Sequence, residues 1–95
     1  MSEDIQSKTV VVTNRDGIHA RPTMAIVNAV GKYRARVTIR KGDQAGDASS
    51  AIDVLSLGAT QGTELVLSAT GPDASQVLEA LDRLFAQEFG VSYSD

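Results

Sequence analysis

No cysteine occurs anywhere in the sequence, which excludes disulfides, thiol redox chemistry and thiolate metal sites. Histidine occurs once, at His19, too little for a zinc site built from imidazoles; no metal and no cofactor is expected. Aromatic residues make up only 4% of the chain, and Tyr33, Phe85, Phe89 and Tyr93 all fall in or beside segments that read as helices. A sheet that stacks RNA bases on aromatics therefore has no support, and no nucleic-acid partner is expected. No apolar run approaches a membrane span, and the acidic start Met1-Ser2-Glu3-Asp4 is not followed by a signal-peptide core. The expectation is a cytoplasmic protein without membrane insertion. There is no P-loop and no G-x-G-x-x-G, and the absence of G-x-S-x-G removes a hydrolase elbow.

What is present is a globular composition, 42% hydrophobic and 22% charged, with a formal net charge of −3. One domain over residues 1–95 is expected, with a core from about 7 to 90 and, given the lack of large apolar runs, a monomer. The charge is uneven: residues 1–41 hold eight basic and three acidic side chains, residues 42–95 one basic and nine acidic. Such asymmetry suits local patches that steer charged partners rather than a general basic footprint.

Residues 8–13, KTVVVT, are β-branched and end at the turn-like Asn14-Arg15-Asp16-Gly17, a strand followed by a loop. Pro22 then stands in the first turn of a helix whose Ala25, Ile26, Ala29, Val30 and Tyr33 share one face. Arg34 to Arg40 alternates strictly, with Ala35, Val37 and Ile39 inward. Lys41-Gly42-Asp43 turns the chain into a return strand over 44–48, where Gly46 weakens the strand or marks a bulge. Ser50-Ala51-Ile52-Asp53 has the form of a capping box before a short helix closed by Gly58. Residues 63–70, TELVLSAT, alternate again as a last strand. Asp73 and Gln76 are placed to cap a final helix carrying Val77, Leu78, Leu81, Leu84, Phe85 and Phe89, with Gly90 as its stop and a mobile tail from Val91 to Asp95. The order βαββαβα predicts an α+β fold: a two-layer open-faced β-sandwich with a four-stranded antiparallel sheet and three helices on one face.

The lone histidine lies in Asp16-Gly17-Ile18-His19-Ala20-Arg21-Pro22-Thr23. A single histidine is more often a surface or packing residue than a reactive one. Here it stands at a helix start, where free N–H groups and the positive end of the macrodipole favour an anion. A neutral imidazole has a lone pair that can attack phosphorus, and Arg21 offers a planar pair of donors to phosphoryl oxygens.

Gly17-Ile18-His19-Ala20-Arg21-Pro22 resembles the active-site signature of the HPr family, the histidine-containing phosphocarriers of the phosphoenolpyruvate-dependent sugar phosphotransferase system. Ser50 to Gly58, SAIDVLSLG, resembles the family's regulatory-serine helix, and Gln61-Gly62-Thr63 its entry into the last strand. The resemblance implies a carrier rather than a stand-alone enzyme. His19 would accept a phosphoryl group at Nδ1 from phosphorylated enzyme I and pass it to a histidine of an enzyme IIA domain. Arg21 would orient the group, Gly17 and Pro22 would support the loop and helix start, and Ala20, Met24, Val27, Ala51, Ile52 and Leu55 would form the docking patch. It also implies Ser50 as a site for an HPr kinase/phosphorylase, beside its plain role as an N-cap. Asn28 and Asp53 make the implied docking surface less basic than is usual in the family, and Asp16, where many members have Asn, sets a negative charge near the implied phosphohistidine. An alternative reading is a regulatory module of the same fold, serving a nitrogen-related relay or docking to transcription factors or kinases through phosphorylated Ser50.

Overall fold

A computed structural model describes residues 4–90 of the chain; the expected mobile tail lies outside them. The alternating segments become four strands: β1 (Gln6–Val11), β2 (Arg36–Lys41), β3 (Gln44–Asp47) and β4 (Glu64–Thr70). They form one antiparallel sheet in the order β1-β4-β2-β3. The last strand is thus inserted between the first and second. Helices α1 (Ala20–Val30), α2 (Ala51–Ser56) and α3 (Ala74–Ala86) supply the second layer. This is the open-faced α+β sandwich expected from the element order.

The two-residue period places Val10, Val37, Ile39, Leu65, Leu67 and Ala69 in the core with at most 5% exposure, against Ile26, Val77, Leu81 and Phe85 of the helices. Burying one such aliphatic or aromatic side chain contributes about 1.5–3 kcal/mol. The opposite face of the sheet carries Arg36 and Arg40, both exposed, and is the wet side that the alternation predicted.

Several boundaries and local devices differ from the sequence reading. β1 runs two residues earlier than expected at each end, because after Val11 the backbone leaves β4's register and Val12 N–H donates to Thr63 O at 2.9 Å. α1 stops at Val30, and Lys32 and Tyr33 close tight turns onto Ala29 O and Val30 O. Gly46 makes no bulge: it pairs regularly with Ile39. Its missing side chain admits α2, since a Cβ there would lie 3.1 Å from Asp53 Cβ and 3.2 Å from Asp53 O.

Both expected caps flanking the last helix are reassigned. Asp73 makes no side-chain cap on α3; its carboxylate accepts from Arg34 N–H at 2.7 Å, and Asp73 N–H returns a bond to Arg34 O at 3.0 Å. The carboxylate thereby ties the entry of β2 to the start of α3. Gly90 is not the helix stop: α3 ends at Ala86, and Glu88 and Phe89 turn left-handed with φ of 52° and 60°. That conformation costs about 1–2 kcal/mol per residue. It turns Phe89 back to 7% exposure, edge-on to Phe85 with centroids 4.7 Å apart. Ring burial of about 1.5–3 kcal/mol plus about 0.5–1.5 kcal/mol for the aromatic pair offsets most of the strain.

Candidate functional site

The loop between β1 and α1 carries the histidine, and contacts from distant parts of the chain hold it. Ile18 N–H donates to Ala59 O at 2.9 Å, Gly62 N–H to Val12 O at 2.7 Å, and the Gln61 side-chain amide to Thr13 O at 3.1 Å. The segment after α2 therefore clamps the loop along its length. Gly17 is required at this clamp: its φ is +70°, and a Cβ would lie 2.5 Å from Ala59 O. Asn14, fully buried, donates through Nδ2 to Gly17 O, and Gly17 N–H donates to Asn14 O at 3.1 Å. This pair folds the loop back on itself just before the histidine. Asn14 went unrecognised in the sequence as more than a turn former; its place among Asn14-Arg15-Asp16-Gly17 suited a turn and gave no sign that its side chain is buried.

His19 is the N-cap residue of α1, with extended backbone (φ −94°, ψ −162°) and a carbonyl that accepts from Thr23 N–H at 3.0 Å. Its side chain caps nothing, and the first turn holds no acidic residue. Pro22 is buried in that turn, where its fixed φ suits the helix and its missing N–H removes one orphan donor. The N–H groups of Ala20 and Arg21 precede the first intrahelical bonds, and the positive end of the macrodipole lies beside the imidazole. Arg21 is exposed on the same turn.

The imidazole is half-buried, and its Nε2 is buried with no hydrogen-bond partner. Two other buried side-chain polar atoms among the described residues share that condition: Asn14 Oδ1 and Thr23 Oγ1. All three belong to the same ten-residue stretch.

Ser50 caps α2 as expected, its Oγ accepting from Asp53 N–H at 3.3 Å. The reciprocal half of the capping box does not form. Asp53 Oδ2 accepts instead from Asp47 N–H at 3.0 Å, while Ser50 N–H donates to Asp47 O at 3.0 Å. Asp47 in turn accepts from the Ser49 hydroxyl at 2.7 Å and the Ser49 N–H at 2.8 Å. The Ser49 hydroxyl, with its N–H and the nearby Arg36, holds the Asp47 carboxyl below the ordinary carboxylate value.

α1 and α2 pack against each other. Of the large apolar side chains left exposed, Met24 (47%) stands on α1 and Ile52 (76%) and Leu55 (45%) on α2. Ala20 is exposed, and Val27 and Ala51 are half-buried.

Comparison with known proteins agrees with this arrangement. Residues 6–87 match the family described as "PTS HPr component phosphorylation site". The chain belongs to the HPr family of phosphocarriers of the phosphotransferase system. It is 38% identical to the phosphocarrier protein HPr of Treponema pallidum over 82 residues, covering 86% of this chain and 93% of the relative. It is 34% identical over 89 residues to a multiphosphoryl transfer protein of Haemophilus influenzae, covering 90% of this chain but only 18% of that longer protein. The crystal structure of HPr-C-His from Thermoanaerobacter tengcongensis superimposes with a TM-score of 0.88 at 31% identity, over 93% of this chain and 99% of that one. The HPr fold expected from the sequence is the fold observed. No helix among the described residues is long and apolar enough to cross a membrane.

Proposed function

We propose that His19 is the phosphoryl acceptor of this HPr-family chain, taking the group from phosphorylated enzyme I and passing it to a histidine of an enzyme IIA domain. One observation carries the reading: the imidazole stands at an uncapped helix N-terminus with Nε2 buried, which leaves Nδ1 as the nitrogen open to an incoming phosphoryl group. The Nδ1 lone pair attacks phosphorus, the bond from phosphorus to the donor breaks, and that electron pair stays with the donor. The Ala20 and Arg21 N–H groups and the Arg21 guanidinium meet the phosphoryl oxygens. A relay must also release its cargo. Each ~1.4 kcal/mol of extra stabilisation shifts retention tenfold, so a short, solvent-facing set of donors suits reversible transfer.

Met24, Ile52 and Leu55, with Ala20, Val27 and Ala51, form the docking patch in this scheme. Ser50 stands at its edge as the cap of α2. A phosphate from an HPr kinase/phosphorylase would place ~1.5–2 negative charges there, near the carboxylates of Asp47 and Asp53. Their repulsion favours the carrier reading over one in which phosphorylated Ser50 is the main output.

Transfer of labelled phosphate from phosphoenolpyruvate through purified enzyme I tests the proposal. Acid-labile, base-stable label on the wild type, absent from a folded His19→Ala variant, is the expected result. Failure of enzyme I to label the wild type would overturn it.

A further inference from the structure

Three buried polar atoms without partners within ten residues form an unusual concentration, because each such atom costs about 1–3 kcal/mol. Their chemistry is complementary and has a direction. Asn14 Nδ2 is committed to Gly17 O, which fixes the amide's orientation and leaves Oδ1 as an acceptor only. Thr23 Oγ1 can donate one hydrogen bond and accept others, and Thr23 is 1% exposed. His19 Nε2 can take either role, depending on where the ring carries its proton. Thr23 lies one helical turn after His19, with its N–H bonded to His19 O, so residues 19 and 23 share a side of α1.

We propose that Thr23 and Asn14 are positioning residues for His19, joined in the reactive state as one chain: His19 Nε2–H donates to Thr23 Oγ1, and the Thr23 hydroxyl donates to Asn14 Oδ1. The bonds are open in this structure; in the unphosphorylated protein with a neutral ring, which is the reactive state, small rotations of the ring and the two side chains close them. Only this direction satisfies all three atoms, since Oδ1 cannot donate. It places the ring proton on Nε2 and leaves the lone pair on Nδ1. The inference rests on the carrier reading of His19 and deepens it. On attack, the new N–P bond gives the ring a positive charge, delocalised to Nε2–H, and Thr23 Oγ1 accepts from that charged donor. On onward transfer the N–P bond breaks and its electron pair returns to Nδ1, while the proton stays on Nε2. No proton has to leave the buried side of the ring in either direction.

The test is the nitrogen NMR spectrum of the His19 ring in the unphosphorylated, full-length protein, at a pH where the ring is neutral. Wild type, Thr23→Val, which keeps the shape without the hydroxyl, and Thr23→Ser, which restores it, are compared, with phosphate labelling run in parallel. The expected result is a dominant Nε2–H tautomer in the wild type. Thr23→Val shifts it toward a mixture and slows labelling about five- to tenfold, in line with loss of one hydrogen bond, and Thr23→Ser recovers both. A dominant Nδ1–H tautomer in the wild type overturns the proposal without any variant. An unchanged tautomer ratio in folded Thr23→Val also overturns it, whatever the labelling shows. If the wild type takes no label but its tautomer shifts with Thr23 as stated, the carrier reading fails and the hydrogen-bond chain stands.

Discussion

The N-termini of α1 and α2 solve the same problem of orphan N–H groups in opposite ways. At α2, Ser50 caps the helix, Asp53 occupies the first turn, and Asp47 joins both through a network with Ser49. At α1, the N-cap side chain caps nothing, the first turn has no acid, and a proline removes one donor. The filled terminus is a structural end. The open one leaves its positive field uncompensated, as the proposed carrier role of His19 requires, and the clamp from residues 59–62 holds the loop where a cap would otherwise act.

The sharpest way to break this contrast is to make α1 resemble α2. Ala20→Asp puts a carboxylate into the first turn, where it stabilises the helix by about 0.3–1 kcal/mol and repels the phosphoryl group. Labelling through enzyme I should slow about tenfold, equivalent to ~1.4 kcal/mol, while the melting temperature holds or rises. Slower labelling together with a lower melting temperature would point to simple damage. The converse change, Ser50→Ala, removes the cap of α2. Its hydrogen bond is long at 3.3 Å, so the loss should lie in the lower part of the cap range, about 0.5–1 kcal/mol by denaturant unfolding. Labelling of His19 should be unaffected.

The smallest effect concerns Asp47. Its folded-state pKa is depressed, so its contribution to stability is fully present above the ordinary carboxylate value. It is lost as pH falls through the folded value. Asp47→Asn should therefore flatten the fall of the melting temperature below about pH 4 and change little at neutral pH. Because Asp47 is exposed, solvent screening keeps the difference small.

The sheet, α1 and the stripe of α3 were legible because their signals are local: alternation in Arg34 to Arg40 and in Thr63 to Thr70, and helical spacing from Ala25 to Val30. The same holds for His19, Arg21 and Pro22, which adjoin one another in the sequence. Where the reading failed, the deciding partner was remote. Asp73 looks like a cap until Arg34, 39 positions away, claims its carboxylate. Gly46 looks like a bulge until Asp53 packs against it. Gly90 looks like a stop until the burial of Phe89 reshapes the turn before it. Within the candidate site, Asn14 and Gln61 were missed as supports because a loop residue's burial is set by what covers it.

The position of β4 between β1 and β2 has a consequence for assembly. Among the described residues β1 has β4 as its only partner strand, and the loop bearing His19 is clamped by residues 59–62 just ahead of β4. On a ribosome, the loop must wait for residues 59–62 and the strand for β4 before either is fixed, a long-range closure that slows folding. Competence to carry a phosphoryl group is therefore acquired late and all at once. A truncated product ending before residue 59 would hold every residue of the histidine signature without the clamp that fixes its loop or the strand that pairs with β1.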